Sequence, residues 1–108
     1  MVGQIDEHQI SELSRRITQA VGPRQIILFG SAARGDYGPH SDLDVLVVMP
    51  DGVHRGKTSE VIYRNLWGFD VATDVIVVTE SDVAKHRDDP FFVIRQALEE
   101  GRELYRAA

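Results

Sequence analysis

The sequence predicts a small α/β (α+β) fold, a mixed β-sheet with helices packed mainly on one face. Three apolar runs of strand length, at 25–29, 42–49 and 71–79, form the centre of this sheet. Segments with the apolar spacing of amphipathic helices lie between and around them. Apolar residues make up 43% of the 108 residues, enough for one compact core, so we expect a single domain over 1–108. We expect the second face of the sheet to be open.

The first helix has a predicted start and stop. Asp6 is the expected cap, with Gln9 three residues later as in a capping box, and Gly22-Pro23 ends the helix. The run at 25–29 follows as a buried strand and ends at Gly30. The stripe that turns the first helix toward the core consists of Ile10, Leu13, Ile17 and Val21.

The second half of the chain repeats this alternation. Residues 50–57 read as a solvated loop, with a mobile lid that brings Arg55 or Lys57 to phosphate as the alternative. Thr58 is the expected cap of the next helix. Two further helices are predicted after the third strand, over 81–87 and 91–105, and Gly101 within the last one marks close packing rather than an end.

Three acidic residues lie at the second and third strands. Asp42 and Asp44 are two apart on a strand, so their side chains share a face and repel each other. Because they lie beside an apolar run, we expect a cation between them, and oxygen ligands favour Mg²⁺. Asp74 interrupts the third apolar run, where an unpaired carboxylate would cost several kcal/mol. A solvated aspartate at a strand end is the alternative for Asp74.

Gly30 and Ser31 follow the first strand and precede a short helical turn. Backbone N–H groups at such a turn are free to face an anion, and a glycine lets a phosphate approach the main chain closely. Taken alone, a Gly-Ser pair after a strand is also what an ordinary turn requires.

Composition limits the classes of partner. The formal net charge of −5 argues against duplex DNA or RNA as the main ligand, whereas a phosphorylated ligand held through a metal remains compatible. There is no cysteine, which excludes disulfides and thiolate metal sites. The N-terminal residues do not read as a signal peptide and no apolar run is as long as a membrane span, so we expect a cytoplasmic protein without membrane contact.

Taken together, these motifs resemble the signature of the DNA polymerase beta-like nucleotidyltransferase superfamily, and within it the minimal nucleotidyltransferase (MNT) domains. The residues that carry the resemblance are Gly30-Ser31-x-Ala33-Arg34-Gly35, then Ser41-Asp42-Leu43-Asp44-Val45, and finally Thr73-Asp74-Val75-Ile76. The resemblance implies the nucleotidyltransferase fold and a metal-dependent enzyme that transfers AMP (NMP) from ATP (NTP) to a hydroxyl, with release of pyrophosphate.

The resemblance also implies roles for individual residues. Asp42, Asp44 and Asp74 would be catalytic and would hold one or two Mg²⁺ ions. Gly30, Ser31 and Arg34 would bind the nucleotide. The arginine would contact phosphate or, equally well, pair with the nearby Asp36.

The helical domain that larger relatives use to hold the acceptor is missing from the match, so we expect another chain to supply the acceptor. The resemblance to stand-alone MNT proteins implies that this protein is an antitoxin, which adenylylates a tyrosine of a small helical HEPN-type toxin. The alternatives are a non-catalytic binding subunit that silences its partner by complex formation, and transfer to a small molecule such as an aminoglycoside. Tyr37, Trp67 and Phe69 are candidates for contact with a partner.

Overall fold

Strands and helices alternate along the chain in the computed structural model, which describes residues 6–36, 38 and 41–108. The strands are β1 (Gln25–Phe29), β2 (Leu43–Met49), β3 (Thr73–Thr79) and β4 (Arg102–Arg106). The helices are α1 (Glu7–Val21), α2 (Ser31–Arg34), α3 (Arg55–Asn65), α4 (Glu80–His86) and α5 (Val93–Glu100). Tyr37, expected at a partner surface, lies outside the described residues. Among those described, no helix is both long and apolar enough to cross a bilayer.

The four strands form one mixed sheet, as predicted, in the order β3-β2-β1-β4. β1 runs antiparallel to both β2 and β4, whereas β2 and β3 are parallel. The end of β1 therefore meets the beginnings of β2, β3 and β4 at one end of the sheet. The loops that follow and precede these strands are brought together there.

The larger hydrophobic core lies on the face that α1 and α3 cover. Its fully buried side chains include Leu13 and Ile17 of α1, Ile62 of α3 and Val45 of β2. The expectation of an open second face is wrong, because α4 and α5 pack there. Ile94 and Ala97 of α5, among others, are buried with alternate residues of the strands, namely Ile27, Phe29, Leu46, Val48 and Val78.

The predicted helix over 91–105 is wrong in its second half. α5 ends at Glu100, and the chain then extends as β4 along the free edge of β1. Ladder hydrogen bonds to β1 satisfy that edge, and this non-local gain outweighs the helical spacing of the sequence. Gly101 is packed closely, as expected, since a Cβ there would lie 2.4 Å from Cγ2 of Ile27. It also ends the helix, with φ −77° and ψ 162°, so the prediction that it does not mark an end is wrong.

The first residues of two helices can be compared with the caps predicted from the sequence. α3 begins at Arg55, because Nδ1 of His54 accepts a hydrogen bond from the Lys57 N–H at 3.1 Å and caps the helix, ahead of the expected cap at Thr58. Arg55 and Lys57 therefore belong to a helical turn and not to a loop or lid. At α1, Asp6 is the cap as predicted.

The predicted capping box at α1 does not form. The Gln9 side chain donates to Asp70 at 3.4 Å and does not return to the Asp6 backbone. A complete capping box forms instead at α4, between Thr79 and Asp82. The remaining boundary differences are small: β2 begins one residue after Asp42, and β3 begins at Thr73.

Candidate active site

Three aspartates lie at the end of the sheet where β1 ends and β2 and β3 begin. In the strand register Asp44 is paired with Phe29 of β1 on one side and with Asp74 of β3 on the other. The Cα atoms of paired residues in neighbouring strands are about 4.8 Å apart. Asp42 lies just before β2, two residues from Asp44, and is close enough for its charge to raise the pKa of the Asp44 carboxyl. The sheet thus brings all three predicted acids to one place.

The central acid, Asp44, carries an electrostatic cost. Its side chain is half-buried, whereas those of Asp42 and Asp74 are exposed. Desolvation raises the pKa of the Asp44 carboxyl, and the charges of Asp74 and Asp42 raise it further. Arg34 opposes this shift. Negative charge therefore accumulates at this end of the sheet, and a cation would relieve it.

Gly30 turns the chain directly against Asp44. Its backbone, at φ 74° and ψ −152°, lies in a region that only glycine adopts readily. A Cβ at this position would be 2.4 Å from Oδ2 of Asp44, too close for any other residue without displacing the carboxylate. The glycine therefore serves two purposes, the turn itself and the space for the acid.

The helical turn α2 places Ser31 and Arg34 at the same corner. The carbonyl of Gly30 accepts the Arg34 N–H at 3.0 Å, which closes the turn. The guanidinium of Arg34 lies 3.5 Å from Asp36, the pairing that the sequence offered as one alternative. It also lies 3.1 Å from the carboxylate of Glu100. Contact of Arg34 with phosphate would require these pairs to rearrange.

Glu100 and Tyr63 also border the site, although neither was predicted there from the sequence. Glu100, the last residue of α5, accepts the Gly30 N–H at 3.2 Å. The hydroxyl of Tyr63 on α3 accepts the N–H of Val75 at 2.9 Å, directly beside Asp74. Both contacts depend on packing between segments that are distant in sequence, and no motif near these residues predicts them. Of the aromatic residues predicted to contact a partner, Trp67 is 89% exposed and Phe69 packs at the margin of the larger core.

The donor set fits magnesium, although the side chains do not enclose an ion. Among the residues that the structure describes, no three His, Cys, Asp or Glu side chains are arranged as a metal-binding group. Yet the available donors at this end of the sheet are carboxylate oxygens, the ligands that Mg²⁺ prefers. The raised pKa of Asp44 also indicates that its charge is poorly compensated by the protein alone.

Comparisons with known proteins place the chain in a family. The nucleotidyltransferase domain profile matches residues 10–104. A candidate protein adenylyltransferase of Methanocaldococcus jannaschii is 39% identical over 82 residues, which are 76% of this chain and 78% of the relative.

Solved structures share the fold. A chain of a toxin–antitoxin complex with AMP-PNP superposes with a TM-score of 0.64 at 21% identity, over 95% of this chain and 75% of the other. A chain of the complex between a tri-AMPylated Shewanella oneidensis HEPN toxin and an MNT antitoxin gives 0.62 at 15% identity, over 95% and 74%. The family profile and the sequence relative identify the chain as a member of the nucleotidyltransferase domain family and as a nucleotidyltransferase.

Proposed function

We propose that this nucleotidyltransferase transfers AMP from ATP to a hydroxyl of a protein acceptor and releases pyrophosphate. The observation that carries the proposal is the strand register, which sets Asp44 beside Asp74 and next to Gly30. Three acids and a glycine corner at one end of a sheet provide what a metal-bound triphosphate needs. The name of the Methanocaldococcus jannaschii relative, a candidate protein adenylyltransferase, supports a protein acceptor.

The three aspartates have distinct roles in this proposal. Asp42 and Asp44 would hold Mg²⁺ through their carboxylates, and Asp74 would complete the site on the side of the attacking hydroxyl. Magnesium, when bound, would neutralise phosphate charge and lower the pKa of that hydroxyl. Asp74 is exposed, so an acceptor has access to it, and its carboxylate would take the hydroxyl proton. The acceptor oxygen bonds to the α-phosphorus as the bond from that phosphorus to pyrophosphate breaks.

Gly30, Ser31 and Arg34 would bind the β- and γ-phosphates. The backbone N–H of Gly30 and the hydroxyl of Ser31 are donors at the turn between β1 and α2. The Arg34 guanidinium would add a charge-assisted contact once it leaves its carboxylate partners. These donors would hold the leaving pyrophosphate beside the acids.

We propose a small helical HEPN-type protein as the acceptor, with a tyrosine as its modified residue. The support is the shared fold with a chain of a complex that contains a tri-AMPylated HEPN toxin. In this role the chain would be an antitoxin that silences its partner by adenylylation.

The test is transfer of label from [α-³²P]ATP with Mg²⁺ to the protein encoded next to this chain. We expect label on the partner with the wild type, and a loss of at least about 100-fold with Asp42→Asn, Asp44→Asn or Asp74→Asn. Asp88→Asn is the matched control, because Asp88 is an exposed acid in the turn after α4. Full labelling by the three variants would contradict the proposal. A partner that the triple variant binds and silences without label would instead indicate a non-catalytic binding subunit.

A further inference from the structure

One carboxylate oxygen occupies the donors of the glycine corner. Oε1 of Glu100 accepts the backbone N–H of Gly30 at 3.2 Å and Nη1 of Arg34 at 3.1 Å. The same oxygen accepts Nε2 of Gln96, one turn earlier on α5, at 2.8 Å. Two of these three donors are those that the proposed function assigns to the nucleotide phosphates.

This arrangement imitates a bound phosphate oxygen. A single anionic oxygen lies between a main-chain amide and a guanidinium, which is how proteins commonly hold phosphate. The hydrogen bond from Gln96, the backbone N–H of Gly30 and the charge of Arg34 all lower the pKa of Glu100, so it stays ionised. A triphosphate cannot take the same donors while Glu100 holds them.

The fold, rather than a flexible loop, brings Glu100 to this place. Glu100 ends α5, and the next residues enter β4, which pairs with β1 beside Gly30. Gly101 allows this close approach, since a Cβ there would lie 3.0 Å from the Leu28 carbonyl oxygen and nearer still to other atoms. The Glu100 side chain is 27% exposed, so it has solvent into which it can withdraw.

We propose that Glu100 sets the affinity of the site for nucleotide by occupying the position of a phosphate oxygen until the triphosphate displaces it. This inference rests on the proposed function, because it assumes that the phosphates use Gly30 and Arg34. Glu100 thus competes with the substrate and takes no part in the chemistry. Each nucleotide that binds must break the hydrogen bonds that Glu100 makes, which lowers the apparent affinity.

The test measures binding of Mg²⁺–AMP-PNP by calorimetry to the wild type and to Glu100→Gln. The glutamine keeps the size of the side chain but removes its charge, so it competes less well for Arg34. We expect the Kd to fall about tenfold, the effect of losing one charge-assisted hydrogen bond from the competing state. The matched control is Glu99→Gln, one residue away, whose carboxylate pairs with Arg95 at 2.8 Å and does not contact the corner. Its Kd should equal that of the wild type.

Thermal unfolding gives a second test, which compares the Tm of Glu100→Gln with that of the wild type, without and with nucleotide. Without nucleotide, Glu100→Gln should lower the Tm, because Arg34 and the Gly30 amide lose their ionised partner. With saturating Mg²⁺–AMP-PNP, the same variant should gain more in Tm than the wild type does. Gln96→Ala, which removes only the tether at 2.8 Å, should change both quantities in the same directions by smaller amounts.

The outcomes separate this inference from the proposed function. If the wild type binds the nucleotide and Glu100→Gln binds equally or more weakly, Glu100 is a structural support of the corner and the inference is overturned alone. If neither the wild type nor any of the variants binds the nucleotide, the proposed function fails together with the inference. Tighter binding by both Glu99→Gln and Glu100→Gln would indicate a general charge effect and would also overturn the inference.

Discussion

Replacing Gly30 with alanine tests the geometry of the site at its tightest point. The backbone at φ 74° and ψ −152° costs about 1–3 kcal/mol for a residue with a side chain. The new Cβ would meet Oδ2 of Asp44 at 2.4 Å, whereas carbon and oxygen atoms normally approach to about 3.3 Å. The carboxylate must therefore move by about 1 Å, a displacement that can cost about 100-fold in rate. We expect Gly30→Ala to lower both stability and nucleotidyl transfer.

The matched control is Gly22→Ala at the end of α1. Gly22 also has a positive φ, of 56°, but apart from its own chain neighbours no described atom lies within 4 Å of the position that a Cβ would take there. Its cost is the backbone term alone, about 1–2 kcal/mol. In a domain of this size each kcal/mol lowers the Tm by about 4–8 °C. Both variants should therefore unfold at lower temperature, while only Gly30→Ala should lose activity.

The assay combines a thermal melt with the rate of label transfer from ATP, measured well below both Tm values. Transfer by Gly30→Ala within a few-fold of Gly22→Ala would refute the reasoning, because it would mean that the position of Asp44 against Gly30 does not matter to the reaction.

Three further predictions concern stability. Asp44→Asn should raise the Tm measured by calorimetry at neutral pH. The pKa of Asp44 is raised in the folded state, so its ionised form destabilises the fold once the pH rises through that pKa. Nucleotidyl transfer by the same variant should fall at least about 100-fold. Arg55→Met should lower the free energy of unfolding measured in urea at pH 7, because hydrogen bonds from Arg55 hold the pKa of Asp82 at about 2. The difference in this free energy between the variant and the wild type should disappear as the pH falls from about 4 to about 2. Gly101→Ala should cost about 1–3 kcal/mol in urea unfolding, since its Cβ would lie 2.4 Å from Ile27; a loss below 0.5 kcal/mol, roughly a surface effect, would contradict the packing described.

The sequence predicted the elements whose signals are local. The apolar runs became β1, β2 and β3, because a continuous Val/Ile/Leu run has few other structures in a small domain. The acids at Asp42 and Asp44 were predicted to share a face, because the two-residue period of a strand is fixed. That Asp74 lies beside Asp44 followed only from the family resemblance, since periodicity does not reveal which strands pair.

The errors arise where tertiary contacts outweigh local preference. The segment after Gly101 has helical spacing, but the unpaired edge of β1 draws it into β4. The same pairing brings Glu100 to Gly30, 70 residues away in sequence, and no local pattern could have announced that contact. The start of α3 was placed too late because His54 was not considered as a cap.

The central claim is that Asp42, Asp44 and Asp74 together bind the metal ion of a metal–nucleotide complex whose phosphates contact Gly30. Mn²⁺ tests it most directly, because this paramagnetic ion broadens the amide NMR signals of nearby residues. With AMP-PNP and substoichiometric Mn²⁺, we predict that the signals of Gly30 and the three aspartates broaden first, and that Asp44→Asn abolishes the effect. Broadening centred on another part of the chain, with these four signals unchanged, would contradict the account.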